Sequence, residues 1–157
     1  MAGKKITNKS GSSDIALNRS ARFNFHVVDD FEAGMVLEGW EVKSLREGRC
    51  NIAESYAFVK NGEVFISNMN IQPLLCASTH IKAEPTRVRK LLLNRREIDH
   101  IAGQINIKGL TLVSLKMYWV KGRAKILLGL AKGKNNIDKR RDQKERDVNR
   151  SLQRGEY

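Results

Sequence analysis

Apolar and polar residues alternate in several short stretches, the spacing of strands with one buried face. Phe23, Phe25 and Val27 alternate with Asn24 and His26 and predict a first strand, with order beginning near Ile15. Asp29, Asp30 and Glu32 then predict a turn that ends at Gly34. Residues 35–45 mix apolar and charged side chains with no helical stripe and carry Gly39 inside, which predicts a bent or bulged strand. Two strand-like runs, residues 56–60 and 63–67, flank Asn61-Gly62. That dipeptide suits a type I′ hairpin turn, where both central residues need positive φ. The second run extends to Ile71, and Pro73 ends it.

One stretch has helical spacing. Val88, Leu91, Leu92, Ile98, Ile101 and Ala102 form an apolar stripe that predicts a helix over residues 86–102, opened by Pro85-Thr86 and capped at Gly103. Two strands follow. In residues 111–120, Val113, Leu115, Met117 and Trp119 share one face, and Ser114, Lys116 and Tyr118 the other. In residues 123–131, Ala124, Ile126, Leu128 and Leu130 oppose Arg123 and Lys125, with Lys121-Gly122 as the turn between the strands. About six strand segments and one helix predict a mainly β (α+β) fold. The expected form is a small closed antiparallel barrel of oligonucleotide-binding type with flanking helices, since closure removes exposed sheet edges.

Between Lys132 and the final Tyr157 only Ile137, Val148 and Leu152 are apolar, although helix propensity is fair and no proline intervenes. Residues 132–157 are therefore expected to be a basic tail, disordered when free and helical when bound. Residues 1–13 are small, polar and basic and are expected to be disordered. Residues 14–131 form the folded body.

Charge changes the picture from fold to partner. The chain has 157 residues and a formal net charge of +12. Residues 1–22, 23–131 and 132–157 each net +4, so the short ends hold most of the excess. A body with two basic arms and this self-repulsion calls for a polyanion, nucleic acid first and an anionic membrane surface second. No apolar run approaches the ~20 residues of a membrane span, and the N-terminal lysines precede no hydrophobic region of signal-peptide type. Cys50 and Cys76 are read as reduced thiols of a cytosolic protein rather than a disulfide framework.

Arg87, Arg89, Lys90, Arg95 and Arg96 make the densest basic cluster, read either as phosphate contacts or as a solvated helix face. The overall charge favours phosphate contact. Lys116, Tyr118, Arg123 and Lys125 form a polar sheet face with one aromatic, suited to unpaired bases and their phosphates or to plain solvent exposure. Trp119 is expected to point inward. Catalytic patterns are weak, and no enzymatic activity, metal or cofactor is expected. His26, His80 and His100 share no spacing, Cys76 and His80 alone make no zinc site, and no Gly-rich phosphate loop or nucleophile elbow is present. Asp29, Asp30 and Glu32 can be read as a metal cluster of a nucleic-acid-processing enzyme, but turn and capping acids explain them better. A ribosomal or ribosome-assembly protein fits charge and tail equally well.

Several blocks go further. Gly39-Trp-Glu-Val-Lys-Ser-Leu-Arg46 resembles the signature of the SmpB family, the SsrA-binding proteins of bacteria. Ala16-Leu-Asn-Arg-Ser-Ala-Arg22, Ala77-Ser-Thr-His80, Pro85-Thr-Arg87, Arg89-Lys-Leu-Leu-Leu-Asn94, Gly129-Leu-Ala-Lys-Gly-Lys134 and Asp138-Lys-Arg140 resemble further blocks of that family in the same order, from about residue 14 to 146. The resemblance implies an oligonucleotide-binding barrel with flanking helices, working as a monomer. It would bind the tRNA-like part of transfer-messenger RNA and deliver it to stalled ribosomes. Elongation factor Tu with GTP would join through the RNA, and the tail would fold in the decoding centre and empty mRNA channel.

The resemblance implies RNA-binding roles for Glu32, Leu92 and Lys125, added to a surface of Asn18, Arg19, Arg22, Arg87, Arg89, Lys90, Lys116, Tyr118 and Arg123. It implies ribosomal roles for Gly133, Asp138 and Lys139, and at the Ile137 position; Lys132, Lys134 and Arg140 join them as cations of the same tail, read either as a solvated end or as a polybasic element that folds on structured RNA. Ile137 departs from the pattern, because family members often carry an aromatic or His there. An isoleucine packs against a base face without an imidazole or a ring π-system.

Overall fold

Period-two alternation builds the body. In a computed structural model, the described residues are 14–74, 83–133, 136–153 and 155. They form, in order, β1 (Asp14–Leu17), α1 (Ala21–Asn24), β2 (Phe25–Met35), α2 (Gly39–Arg46), β3 (Cys50–Asn51), β4 (Tyr56–Lys60), β5 (Glu63–Ser67), β6 (Asn70–Ile71), β7 (Arg89–Leu92), α3 (Arg95–Lys108), β8 (Thr111–Val120), β9 (Arg123–Gly133) and α4 (Asn136–Gln153). The pairings run β8–β4–β5–β7–β2–β9, and β9 pairs again with β8, all antiparallel. Six strands thus close on themselves. β1 lies along β8, and β3 with β6 forms a separate two-stranded ladder. The expected antiparallel β fold with flanking helices is what forms, and no helix among the described residues is long and apolar enough to cross a membrane.

The hairpin turns are as expected. Asn61 and Gly62 have φ of 53° and 72°, and Lys121 and Gly122 have 49° and 75°, the left-handed pairs that join twisted strands tightly. The strand expected to run on to Ile71 instead stops at Ser67, and Asn68, at φ 59°, turns the chain into β6.

Three expectations of element type are corrected. Asp29, Asp30 and Glu32 lie inside strand β2, not in a turn, and face Leu130, Gly129 and Leu127 of β9. A bulge between Val27 and Asp29 shifts the register there, so simple alternation was lost in the sequence. Residues 39–46 form helix α2, not a bulged strand. Its buried side chains are Trp40, Glu41, Ser44 and Leu45, a helical stripe hidden because two of its four members are polar. The helix expected over residues 86–102 is strand β7 followed by α3. Arg89 and Leu91 point inward and Leu92 outward, and Arg89 and Leu91 face Ile66 and Val64 of β5. The helix starts at Arg95, where Glu97 accepts the Asn94 N–H at 3.2 Å, and Gly103 lies within it. Gly109, at φ 62°, caps it by donating to the Ile105 carbonyl at 3.1 Å.

Bulges also divide the core. The interior of the ring holds Val64, Ile66, Leu91, Leu112, Met117, Ile126 and Leu128, closed by Trp40 and Leu45 of α2 and Ile98 and Ile101 of α3. A second cluster of Ala21, Val113, Leu115, Tyr118, Leu127 and Ala131 lies on the outer wall, joined by Phe25 and Val27. The expectation that Val113 and Leu115 share a face with Met117 and Trp119 fails for this reason: β8 bulges between Ser114 and Lys116 and inverts the alternation. A Cβ on Gly129 would sit 3.1–3.2 Å from Leu115 and Val27 side chains, so a larger residue there would push that outer cluster apart.

Cys50 is a free cysteine. Burial, opposed by the Arg89 charge, pushes its thiol up to about 12, which keeps it protonated and unreactive at neutral pH. Cys76 and His80 lie outside the described residues, as do residues 1–13 and the disorder expected of them. The tail expected to be disordered when free is helical over Asn136–Gln153. On this helix the Arg146 guanidinium lies 5.6 Å from the centre of the Phe23 ring of α1.

One polar cluster joins the layers. Glu41, with no solvent exposure, accepts the Glu38 N–H at 3.1 Å and the Arg87 Nε at 2.9 Å on one oxygen, and the Arg89 Nε on the other. Arg89 is also fully buried, and its remaining nitrogens donate to the carbonyls of Met69, Arg87 and Pro85 at 2.8–3.1 Å. Helix α2 is thereby tied to strand β7 and to the segment before it. Truncating one partner of a buried pair strands the other charge. Glu41→Ala is expected to lower the unfolding free energy by about 3–5 kcal/mol, seen as a fall in the urea midpoint at unchanged slope. A midpoint equal to the parent's would show that the cluster contributes nothing.

Candidate nucleic-acid interface

A row of four residues crosses the outer wall of the ring. Leu92 of β7 faces Gly34 of β2, Gly34 faces Lys125 of β9, and Lys125 faces Tyr118 of β8. In the adjacent row, Glu32 faces Leu127, which faces Lys116. Strand alternation puts Glu32 and Gly34 on the same side. Glu32, Leu92, Lys116, Tyr118 and Lys125, far apart in sequence, therefore meet on one surface, with Arg123 two residues before Lys125.

Gly34 makes this convergence possible. A Cβ there would lie 3.3 Å from the Leu92 Cβ and 3.6 Å from the Lys125 Nζ. The ammonium thus rests over bare backbone beside Leu92. Sequence reading placed Gly34 at the end of a turn and missed this role; a glycine inside a strand, read as a site of close approach, was the available signal.

Tyr118 does not act as the open aromatic that its position suggests. Its residue is 9% exposed, its hydroxyl donates to a Glu32 carboxylate oxygen, and the Lys116 ammonium sits 5.1 Å from its ring centre. A buried ring cannot serve as a stacking platform. Its effect is to hold Glu32 in place at the surface. Burial first, then the hydrogen bond to Glu32 and the charges of Glu32, Asp30 and Asp14, keep the phenol well above its ordinary value of 10.0. It remains a neutral donor through the physiological range.

Leu92, expected on a buried helix face, is 52% exposed at the end of β7. Asn18 is buried and structural: its amide donates to the Ser114 carbonyl at 2.9 Å and to those of Ile52 and Ala53 at 3.4 Å, while its oxygen accepts from Ser20 and the Ala21 N–H. Burial also removes Arg89 from contact with a phosphate. Arg87 is committed to Glu41, and Lys90 pairs with Glu63 at 2.8 Å. Three cations of the dense basic cluster, Arg87, Arg89 and Lys90, are thus engaged within the fold, by acidic partners that only folding brings near. Arg19, Arg22 and Arg123 are exposed.

Among the described residues, no group of three or more His, Cys, Asp or Glu side chains gathers as a metal site. Asp29 lies 3.8 Å from His100, and Glu32 is held by Tyr118. On the tail, Lys132 and Gly133 are exposed at the end of β9. Ile137, Lys139 and Arg140 lie in the first turns of α4, with Ile137 67% exposed. Asp138 belongs to the same helix, and Lys134 lies outside the described residues. Lys132 and Gly133 end the strand that carries Lys125, and the other described tail residues lie on α4, away from the Gly34 row in sequence.

A family profile described as SmpB protein matches residues 15–156. A solved structure described as "tmRNA-SmpB: a journey to the center of the bacterial ribosome" is similar, with a TM-score of 0.64 and 43% sequence identity, over 87% of this chain and 96% of that one.

The Glu32–Tyr118 contact has a titration signature. A phenol raised by folding contributes stability in full below its unfolded value near 10.0, and that contribution is lost as the pH climbs beyond it. Glu32→Gln removes the charge but not the burial. The phenolate absorbance titration of the variant is expected to shift down relative to the parent, toward the ordinary value without reaching it. Superimposable titrations would show that Glu32 does not act on Tyr118.

Proposed function

Because this chain belongs to the SmpB protein family, we propose that it binds the tRNA-like part of transfer-messenger RNA and delivers it to stalled ribosomes for trans-translation. The observation that carries this reading is the 43% identity to the tmRNA–SmpB structure across nearly the whole of both chains. The part is one of binding and delivery, played in the cytoplasm, with elongation factor Tu and GTP joining through the aminoacylated RNA.

The barrel and the tail divide the work. The wall centred on Gly34 faces the RNA: Lys125, Arg123 and Lys116 meet phosphates, Glu32 is a fixed acceptor for base or ribose donors, and Arg19 and Arg22 extend the basic surface. Glu32 bears a negative charge toward a polyanion, which is useful only for recognition that is specific in geometry. The tail, Lys132 to Arg140 and onward, enters the decoding centre and the vacant mRNA channel. Ile137 there packs on a base by surface contact alone. The cations of α4 lie on a helix with little apolar surface to hold it to the body, so it can move to the ribosome at small cost.

Two measurements test this. Across a salt series, the protein is expected to prefer transfer-messenger RNA to ordinary tRNA at every concentration. Lys125→Ala should reduce the slope of log affinity against log salt by about 0.7–0.9. A preference that vanishes as salt rises would mark a merely basic protein. Truncation after Lys132 is expected to leave RNA affinity unchanged and abolish tagging of nascent chains on stalled ribosomes. Loss of RNA affinity in that variant would overturn the division of labour.

A further inference from the structure

We propose that the outer face of the β4–β5 hairpin is a stacking platform for unpaired nucleotides of the bound transfer-messenger RNA. Phe58 of β4 lies opposite Phe65 of β5, and Tyr56 shares the face of Phe58 two residues earlier. Ala57 is buried, as are Val64 and Ile66 on either side of Phe65, so the three rings point out from the barrel. The ring centres are 6.2 Å apart for Tyr56 and Phe58 and 5.9 Å for Phe58 and Phe65, the second pair stacked. None of the three belongs to either core cluster, and Tyr56 is 45% exposed. The rings therefore form an aromatic surface that the packing of the barrel does not use.

Charge at the edge of the rings selects the occupant. Lys60 continues the face of Phe58 and is exposed at the end of β4. Arg95 reaches the turn, donating to the Gly62 carbonyl at 2.8 Å and pairing with Asp99 at 3.5 Å, with its side chain 69% exposed. Unpaired nucleotides fit this arrangement, since bases stack on aromatic rings and phosphates meet the cations beside them. A duplex keeps its base faces covered and cannot use the rings. An apolar protein surface would cover them but would desolvate the Lys60 ammonium at their edge. The platform adjoins the surface assigned to the RNA. Phe65 faces Lys90 of β7, and β7 neighbours β2. At about 5 Å between strands, Phe65 stands about 10 Å from β2, a gap that a short unpaired stretch spans. The inference rests on the RNA-delivery reading and adds two strands that the Gly34 row does not touch.

The first test adds hexauridylate, an unpaired probe, to the full chain and follows it by NMR. The ring resonances of Phe58 and Phe65 are expected to shift, whereas ribose 5-phosphate leaves them unmoved. Rings that stay unmoved in excess hexauridylate overturn the proposal. In the second test, Phe58→Leu with Phe65→Leu keeps apolar bulk and removes both rings. This variant is expected to bind transfer-messenger RNA about tenfold more weakly, with the parent's salt slope, because no phosphate contact is lost. Parental affinity in the folded variant overturns the proposal. Should the variant fail to fold, a benzophenone photocrosslinker in place of the exposed Tyr56 reports the occupant directly. Attachment to unpaired nucleotides of transfer-messenger RNA is the expected result. Attachment only to paired nucleotides, or only to protein on stalled ribosomes, overturns it. Failure of the parent to prefer transfer-messenger RNA would instead strike the functional reading, and the hexauridylate titration would still decide whether the rings take unpaired bases.

Discussion

The fold turns on a carboxylate that has no contact with water. Glu41 reaches inward from α2 and holds Arg87 and Arg89 from the chain leading into β7. β7 is the strand that connects β5 to β2, and it makes only a short ladder with each. Without an anchor its few backbone bonds would be a weak seam in the ring. The Arg89 fork supplies that anchor, because it satisfies Glu41 and three backbone carbonyls at once. An apolar pair can fill such a space, often at no loss of stability, but it has no donors for the carbonyls of Met69, Pro85 and Arg87. Lysine, with a single nitrogen, cannot reproduce the fork.

The seam and the site are one piece of structure. Inward-facing Arg89 and Leu91 dictate that Leu92, the next residue, faces out. It then meets Gly34, where β2 is flanked by β7 on one side and β9 on the other. The same row brings in Lys125 and Tyr118, and through the Tyr118 hydroxyl it fixes Glu32. A specific RNA surface needs a few groups held firmly more than it needs many charges, and here rigidity comes from a closed sheet with packing on both of its faces.

Charge is distributed by the same logic. The cations that are densest in the body are drawn to Glu41, Glu63 and the Gly62 carbonyl, while others are scattered along α1, β8 and β9 and concentrated on α4. The body therefore presents a sparse, ordered basic surface. The tail presents a dense one on a helix whose apolar residues, Ile137, Val148 and Leu152, are themselves exposed. Under the proposed function, the first would serve recognition of one RNA shape and the second a polyanionic channel met after recognition.

The sequence alone determined the class of fold, the hairpin turns at Asn61-Gly62 and Lys121-Gly122, the two long strands β8 and β9, the basic character of the chain and, through its ordered blocks, the family. These rest on local signals: alternation over many residues, dipeptides that need positive φ, and net charge. Only the tertiary structure decided that residues 39–46 are a helix, that residues 89–92 are a strand, and that Asn18 and Arg89 are internal. In each case a polar or charged residue is buried because its partner lies far along the chain: Glu41 is 48 residues from Arg89, and Asn18 is 96 from Ser114. Periodicity counts apolar side chains, so a buried polar residue erases the stripe it belongs to. The bulges of β2 and β8 did the same for alternation, since one inserted residue exchanges the faces. Gly34 shows the limit most plainly, because its absent side chain has meaning only once Leu92 and Lys125 stand on either side.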